Sequence, residues 1–252
     1  MLLEGKNAVV YGAGGAIGGA VSEAFAREGA RVFMAGRTPA PLGAVAARIR
    51  DRGGVADVAV LDVLDEAAVD AHADGVVAAG GSLDISFNLI SFGDVQGTPM
   101  AAMAVEDYVT PVLTLVRSTF LTWRAAARHM AQQPSGGVIL AFGGEGDPPR
   151  GYHLGSLQTA FHAVEAMRRQ FSVESGGSGI RVVTLRTGGV PDTLPPDMPG
   201  RDEIAASIAG ASLVGRAATL AELGQLAAFV ASDHARSMTA ATVNLSAGAL
   251  LD

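Results

Sequence analysis

The chain has 252 residues, 49% of them hydrophobic, and a formal net charge of −7, with a mean hydropathy of +0.32. That balance suits a core-rich globular protein of one large domain or two small ones and excludes a disordered chain or a basic nucleic-acid surface. The sequence has no cysteine, which excludes disulfides, thiol nucleophiles and Cys-ligated metals.

The apolar run Asn7 to Tyr11 predicts a strand, and Ile17 to Glu28 a helix. Arg31 to Ala35 reads as a second strand and Leu42 to Arg52 as a helix closed by Gly53-Gly54. Val55 to Leu61 is a strand, Asp65 to Ala79 a helix and Leu83 to Ile90 a strand. A long helix from about Val105 to Gln132, a strand at Gly137 to Phe142 and a second long helix from about Leu154 to Glu174 follow. Ile180 to Arg186 is a strand. A Pro/Gly-rich loop covers 187–200, then come two helices and a last strand near Thr242 to Leu245. Alternating strands and helices predict βαβ units. Short right-handed crossovers then give a single α/β domain, with a doubly wound, seven-stranded parallel sheet in the order 3-2-1-4-5-6-7. No composition break divides the chain, so residues 1–252 form one unit, with 187–212 as a lid on the substrate side.

Between the first strand and helix lies Gly12-Ala13-Gly14-Gly15-Ala16-Ile17-Gly18. Glycine lets a backbone turn tightly and approach a pyrophosphate, while the helix N-terminus offers free N–H groups and its positive dipole end. A glycine-rich turn alone is weak; one that follows a strand and opens a helix in a βαβ unit points to a dinucleotide. An NAD site usually offers an acid to the ribose about twenty residues on. Here Gly36 stands there, followed by Arg37. Arginine pairs bidentately with a 2′-phosphate, so NADP(H) is favoured over NAD(H). Asp62-Val63, after the third strand, is placed to meet an adenine amino group, although a helix cap would look the same.

These features resemble the short-chain dehydrogenase/reductase family nearly end to end. Leu83-Asp84, Gly179 to Val182, and the stretch Gly215 to Gly248, with Phe229 to Asp233 and Met238-Thr239, add to the likeness. The resemblance implies the fold, a nicotinamide cofactor at Gly12, Gly14, Gly15, Ala16, Ile17, Gly18, Arg37, Asp62, Val63 and Asn88, and a homodimer or homotetramer built on the two long helices. It breaks at the chemistry. The family's turn begins with Thr and carries a third Gly; Tyr11 and Ala16 stand there. Its Asn-Asn-Ala-Gly reads Asn88-Leu89-Ile90-Ser91, and its later Pro-Gly reads Thr187-Gly188. The catalytic Asn falls on Leu115, Ser on Gly143, Tyr on Leu157 and Lys on Phe161. In the family Tyr moves the proton, Lys lowers its pKa and holds the ribose, Ser orients the carbonyl and Asn holds a relay water. Leu157 and Phe161 instead belong to the stripe Leu154, Leu157, Phe161, Val164, Met167 and Phe171, at the spacing of packed core or pocket wall. The chain has one lysine, Lys6, against 17 arginines. A general shift to arginine does not account for a phenylalanine at the lysine position. Tyr152 could anchor a shifted motif only by lengthening the helix, and its +4 residue is Ser156.

Glu145, Asp147, Tyr152 and His153 lie in the loop after the fifth strand and are the candidate substitute acids or bases; a solvated polar loop is the plain reading of the same residues. Gln158 and His162 form an i, i+4 pair, read as a surface or interface pair. His72, His129 and His234 lack partners at ligand spacing, so no metal site is expected. No Gly-x-Ser-x-Gly elbow is present. No apolar leader precedes the first strand and no apolar run reaches 18 residues, so the expectation is a cytoplasmic protein that contacts neither membrane nor nucleic acid. Three readings stay open: an oxidoreductase with a non-standard acid or base acting on a small hydrophobic substrate; a non-redox isomerase, lyase or cyclase on the same scaffold; and a catalytically silent binding or subunit protein.

Overall fold

The computed structural model describes residues 1–147 and 152–251. Seven strands form one parallel sheet: β1 (Asn7–Tyr11), β2 (Arg31–Gly36), β3 (Val55–Val60), β4 (Ile85–Asn88), β5 (Gly137–Gly143), β6 (Ile180–Arg186) and β7 (Ala241–Asn244). Their order is β3-β2-β1-β4-β5-β6-β7, with Val10 opposite Met34 on one side and Phe87 on the other. Seven helices connect them: α1 (Ala16–Arg27), α2 (Pro39–Asp51), α3 (Glu66–Gly80), α4 (Val105–Met130), α5 (Leu157–Ser175), α6 (Arg201–Gly210) and α7 (Leu220–Ala231).

Because helices cover both faces, the central strands are apolar on both sides. Ala8, Val10, Val32, Met34, Phe87 and Leu140 pack under α1, α2 and α7. Val9, Tyr11, Phe33, Ile139, Ala141 and Val182 pack under α3, α4 and α5. The chain reverses its direction of travel across the sheet between β1 and β4. Their carboxyl ends therefore splay the following loops apart and open a crevice there.

Several element ends differ from expectation, each for a local reason. α2 starts at Pro39, not Leu42, because Thr38 is the cap and proline presets the first helical turn. α5 starts at Leu157, not Leu154, because Gly155 has φ +56° and cannot continue a right-handed helix. β4 pairs only over Ile85–Asn88 rather than Leu83 to Ile90. Upstream, the Asp84 carboxylate turns aside to accept the Asn7 backbone N–H at 2.8 Å; downstream, the chain leaves the sheet to form the crevice wall. Residues 187–212 are partly helical: a short 3₁₀ turn at Pro191–Thr193 leads into α6.

Candidate active site

The carboxyl ends of β1 to β6 border one continuous cleft of about 1280 Å³. At one end, Gly12 takes φ +76°, and a Cβ there would collide with the Leu89 carbonyl oxygen. A Cβ on Gly18 would strike the Gly12 carbonyl oxygen. These two positions require glycine; Gly14 and Gly15 are less crowded. The backbone N–H groups of Gly14, Ala16, Ile17 and Gly18 have no hydrogen-bond acceptor among the described residues. Gly15 caps α1 without a side-chain bond, so the helix end presents bare donors to the cleft.

Arg37 stands exposed beside this turn and lines the cleft. It has no hydrogen bond or ion pair among the described residues. Asp62 and Val63 also line it; the Asp62 carboxylate accepts the Leu64 N–H at 3.0 Å, while the cap of α3 is Asp65. Asn88 is buried, its amide nitrogen donating to Ser118 Oγ at 3.1 Å. Every residue expected to hold a nucleotide therefore borders one space, and the bare amides with the free guanidinium fit a pyrophosphate-linked dinucleotide.

At the other end stand Leu115 from α4, Gly143 from β5, and Leu157 and Phe161 from α5. These are the residues on which the sequence resemblance places the family's catalytic side chains, and all four line the cleft. Phe161 packs edge-on against Phe92 at 5.9 Å and Phe142 at 6.3 Å between ring centroids. This aromatic cluster offers no hydrogen bond to a ribose.

The four candidate substitutes part company. Asp147 and Tyr152 line the cleft; Glu145 and His153 do not. Glu145 corrects the picture of a solvated loop, since only 8% of it is exposed. Its carboxylate turns beneath the strand, and a Cβ on Gly143 would lie 2.5 Å from its Oε2. Arg186 stands 3.6 Å from Glu145 Oε1. Burial raises the Glu145 pKa, with neighbouring Glu165 adding to it, and outweighs a backbone hydrogen bond, Arg186 and His162, which favour the charged form. His153 is held through its backbone, its carbonyl accepting the Gly97 N–H at 2.7 Å.

Gln158 corrects another expectation. Its side chain does not partner the His162 side chain; it accepts from Gly146 N–H and donates to the Gly144 carbonyl, both at 3.2 Å. The His162 ring meets the Gln158 backbone carbonyl at 2.8 Å. Gln158 thus splints the β5–α5 loop against the cleft wall. Also unforeseen are Glu165 and Arg168, a buried ion pair at 2.9 Å under α5. The Thr184 hydroxyl donates to that glutamate from β6. The α5 stripe looked wholly apolar because its register was read from the hydrophobic residues alone. Among the described residues no group of three or more His, Asp or Glu side chains is arranged to hold a metal ion. Among the described residues no helix is long and apolar enough to cross a membrane.

The family model described as enoyl-(acyl carrier protein) reductase matches residues 12–249. The chain belongs to the short-chain dehydrogenase/reductase family. It is 31% identical over 251 residues to a hexahydro-indene-carboxyl-CoA reductase of Mycobacterium tuberculosis, covering 97% of this chain and 93% of that one. It is 28% identical over 249 residues to D-threitol dehydrogenase of Mycolicibacterium smegmatis, covering 98% and 93%. A short-chain dehydrogenase/reductase from Serratia marcescens superposes over the full length of both chains with TM-score 0.88 at 25% identity. Another from Mycobacterium marinum gives 0.87 at 27% identity, covering 99% of this chain and 97% of that one. The chain is thus an oxidoreductase-like member of this family, with the expected sheet order.

Proposed function

We propose that this short-chain dehydrogenase/reductase binds NADP(H) and runs hydride chemistry on a small, hydrophobic, uncharged substrate without the family's Asn-Ser-Tyr-Lys set. The observation that carries this is the continuity of the cleft. Bare amides and a free Arg37 stand at one end, apolar Leu115, Leu157 and Phe161 at the other, with nothing dividing them. When bound, the nucleotide would supply or accept hydride.

The chain's own residues do the rest. Gly12 and Gly18 let the backbone close on the pyrophosphate, and Arg37 reads a 2′-phosphate. Phe161, Phe92 and Phe142 exclude water from the reacting end, which strengthens the remaining electrostatic interactions there. To Asp147 and Tyr152, which line the cleft, falls the proton exchanged with the substrate oxygen. Among the described residues lining the cleft, the one cation is Arg37, whereas Asp62, Asp94 and Asp147 are acidic. That charge pattern disfavours anionic substrates. The named relatives act on a sugar alcohol and a fused-ring acyl-CoA, two chemistries that do not agree, so the substrate class rests on the cleft. Consumption of NADPH should be measured against a panel of neutral cyclic ketones. Asp147→Asn or Tyr152→Phe should lower turnover about 10²-fold or more with NADPH affinity unchanged. Unchanged turnover in both variants contradicts this assignment of the proton.

We further propose a homo-oligomer joined through α4 and α5. Val105, Leu113 and Phe120 are 72%, 62% and 50% exposed on α4, an unusual apolar burden for a free helix face. By light scattering the protein should exceed one chain in mass, and Phe120→Glu should reduce that mass. A wild-type monomer at micromolar concentration contradicts it.

A further inference from the structure

Residues 245–250 follow β7 and turn back toward its carboxyl end, where Ala249 and Leu250 line the cleft. The chain reverses at Ala247 and Gly248, whose φ values are +54° and +83°. A non-glycine residue keeps such a left-handed angle only where its surroundings fix it. Here hydrogen bonds do so. The Asn244 side-chain amide donates to the Leu250 carbonyl at 2.8 Å, and Asn244 Oδ1 accepts the Ser246 N–H at 3.1 Å. The Ser246 hydroxyl donates to the Leu250 carbonyl at 3.2 Å and accepts the Leu250 N–H at 3.0 Å. The Ala247 carbonyl accepts the Val214 N–H at 3.2 Å, which ties the turn to the link between α6 and α7. The backbone N–H and carbonyl of Leu250 are both satisfied within the turn, so its side chain is presented from a fixed position.

Glycines make room for this turn on two sides. A Cβ on Gly188 would lie 2.7 Å from the Ala249 Cβ, and a Cβ on Gly146 would lie 3.2 Å from Leu250 Cδ2. Gly188 follows β6 and Gly146 follows β5, two neighbouring strands. The turn therefore packs against both loops where they leave the sheet. Two residues before Gly146, Gly144 lies against α5, where a Cβ would be 3.2 Å from the Phe161 ring. Leu250 thus stands beside the loop that carries Gly143 and Gly144, on the side of Phe161. Its aliphatic side chain offers no hydrogen bond there; what it contributes is bulk.

We infer that Leu250 is a specificity-determining residue, whose side chain fixes how large a neutral ring compound the reacting end accepts. This rests on the reading of that end as the substrate site. Asn244 and Ser246 hold the turn, and the side chain at 250 sets the distance left between it and Phe161. Shortening that side chain admits larger rings; lengthening it excludes them.

NADPH oxidation should be followed with cyclohexanone and with the fused-ring 2-tetralone for wild type, Leu250→Ala and Leu250→Phe. Leu251→Ala, at a neighbour that is 77% exposed, is the control. The same two ketones should be titrated into each protein without nucleotide, with binding read by ligand-observed NMR. Leu250→Ala should shift the tetralone-to-cyclohexanone ratio, in kcat/KM and in affinity, about tenfold toward tetralone. Leu250→Phe should shift it the other way, and Leu251→Ala should leave it unchanged. If Leu250→Phe does not fold, Leu250→Cys carries the test. The chain has no cysteine of its own, so benzyl methanethiosulfonate adds a benzyl group at that one thiol of the folded protein, which should disfavour tetralone. A shifted affinity ratio without turnover supports the role of Leu250 and contradicts the hydride chemistry. Turnover with the same ratio in Leu250→Ala and wild type overturns the role of Leu250 and leaves the hydride chemistry standing. Neither binding nor turnover of the two ketones overturns both.

Discussion

Gly18 and Arg37 carry different parts of the proposed nucleotide site. Gly18 matters because a Cβ would collide with the Gly12 carbonyl oxygen, so its role is the close approach of two backbones and is legible from the motif alone. Arg37 matters because it is unpaired among the described residues, which the sequence could suggest but not decide. Arg37→Ala should weaken NADPH tenfold to a hundredfold, the scale of a charge-assisted hydrogen bond, and leave NADH nearly unchanged. Isothermal titration of both nucleotides checks this; an equal loss for the two would mean that Arg37 does not face a 2′-phosphate. Gly143 and Glu145 show the opposite limit of sequence reading. Spacing places a glycine where the family has serine, but only the fold reveals that the carboxylate two residues on lies against the missing side chain. A serine at position 143 would meet that carboxylate, so Gly143→Ser alone does not rebuild the family's arrangement.

At the scale of elements, the strands and helices were legible because their periods are strong. β6 runs from Ile180 to Arg186, as expected. Ends were less legible where one backbone angle decides, as at Gly155 before α5. Polar residues inside apolar stripes were the least legible, because periodicity reports which face is buried and not which polar partners meet there. Glu165 and Arg168 of α5 are one case, and His72 of α3 is another. His72 lies edge-on to the buried Tyr11 ring at 5.7 Å between centroids, and its Nδ1 has no hydrogen-bond partner among the described residues. Burial lowers its pKa from 6.5 to about 4. The same burial, with Asp70 nearby, raises that of Tyr11. The folded state therefore binds fewer protons than the unfolded state between those two histidine values. The stability tied to the neutral ring is complete above about pH 6.5 and is lost as pH falls through about 4. Denaturant melts should show wild type losing up to about 3 kcal/mol more than His72→Phe across that window. Parallel pH profiles for the two proteins would rule out a buried neutral histidine.

At the scale of the molecule, the parallel order β3-β2-β1-β4-β5-β6-β7 places six strand ends around one cleft. The topology follows from alternating strands and helices with right-handed crossovers, so it could be read in advance. The reaction could not, since fold and function are separable. The proposed reading combines a nucleotide cradle with an apolar reacting end, and the cradle is the part on which the rest depends. The most direct measurement is a calorimetric titration of the purified protein with NADPH, NADP⁺, NADH and NAD⁺ at one pH and salt concentration. The 2′-phosphorylated pair should bind at micromolar Kd, about tenfold or more tighter than the other pair, and a thousandfold excess over Kd should raise the unfolding free energy by about 4 kcal/mol. No detectable heat and no thermal shift with any of the four would contradict a nucleotide site at Gly12 to Gly18.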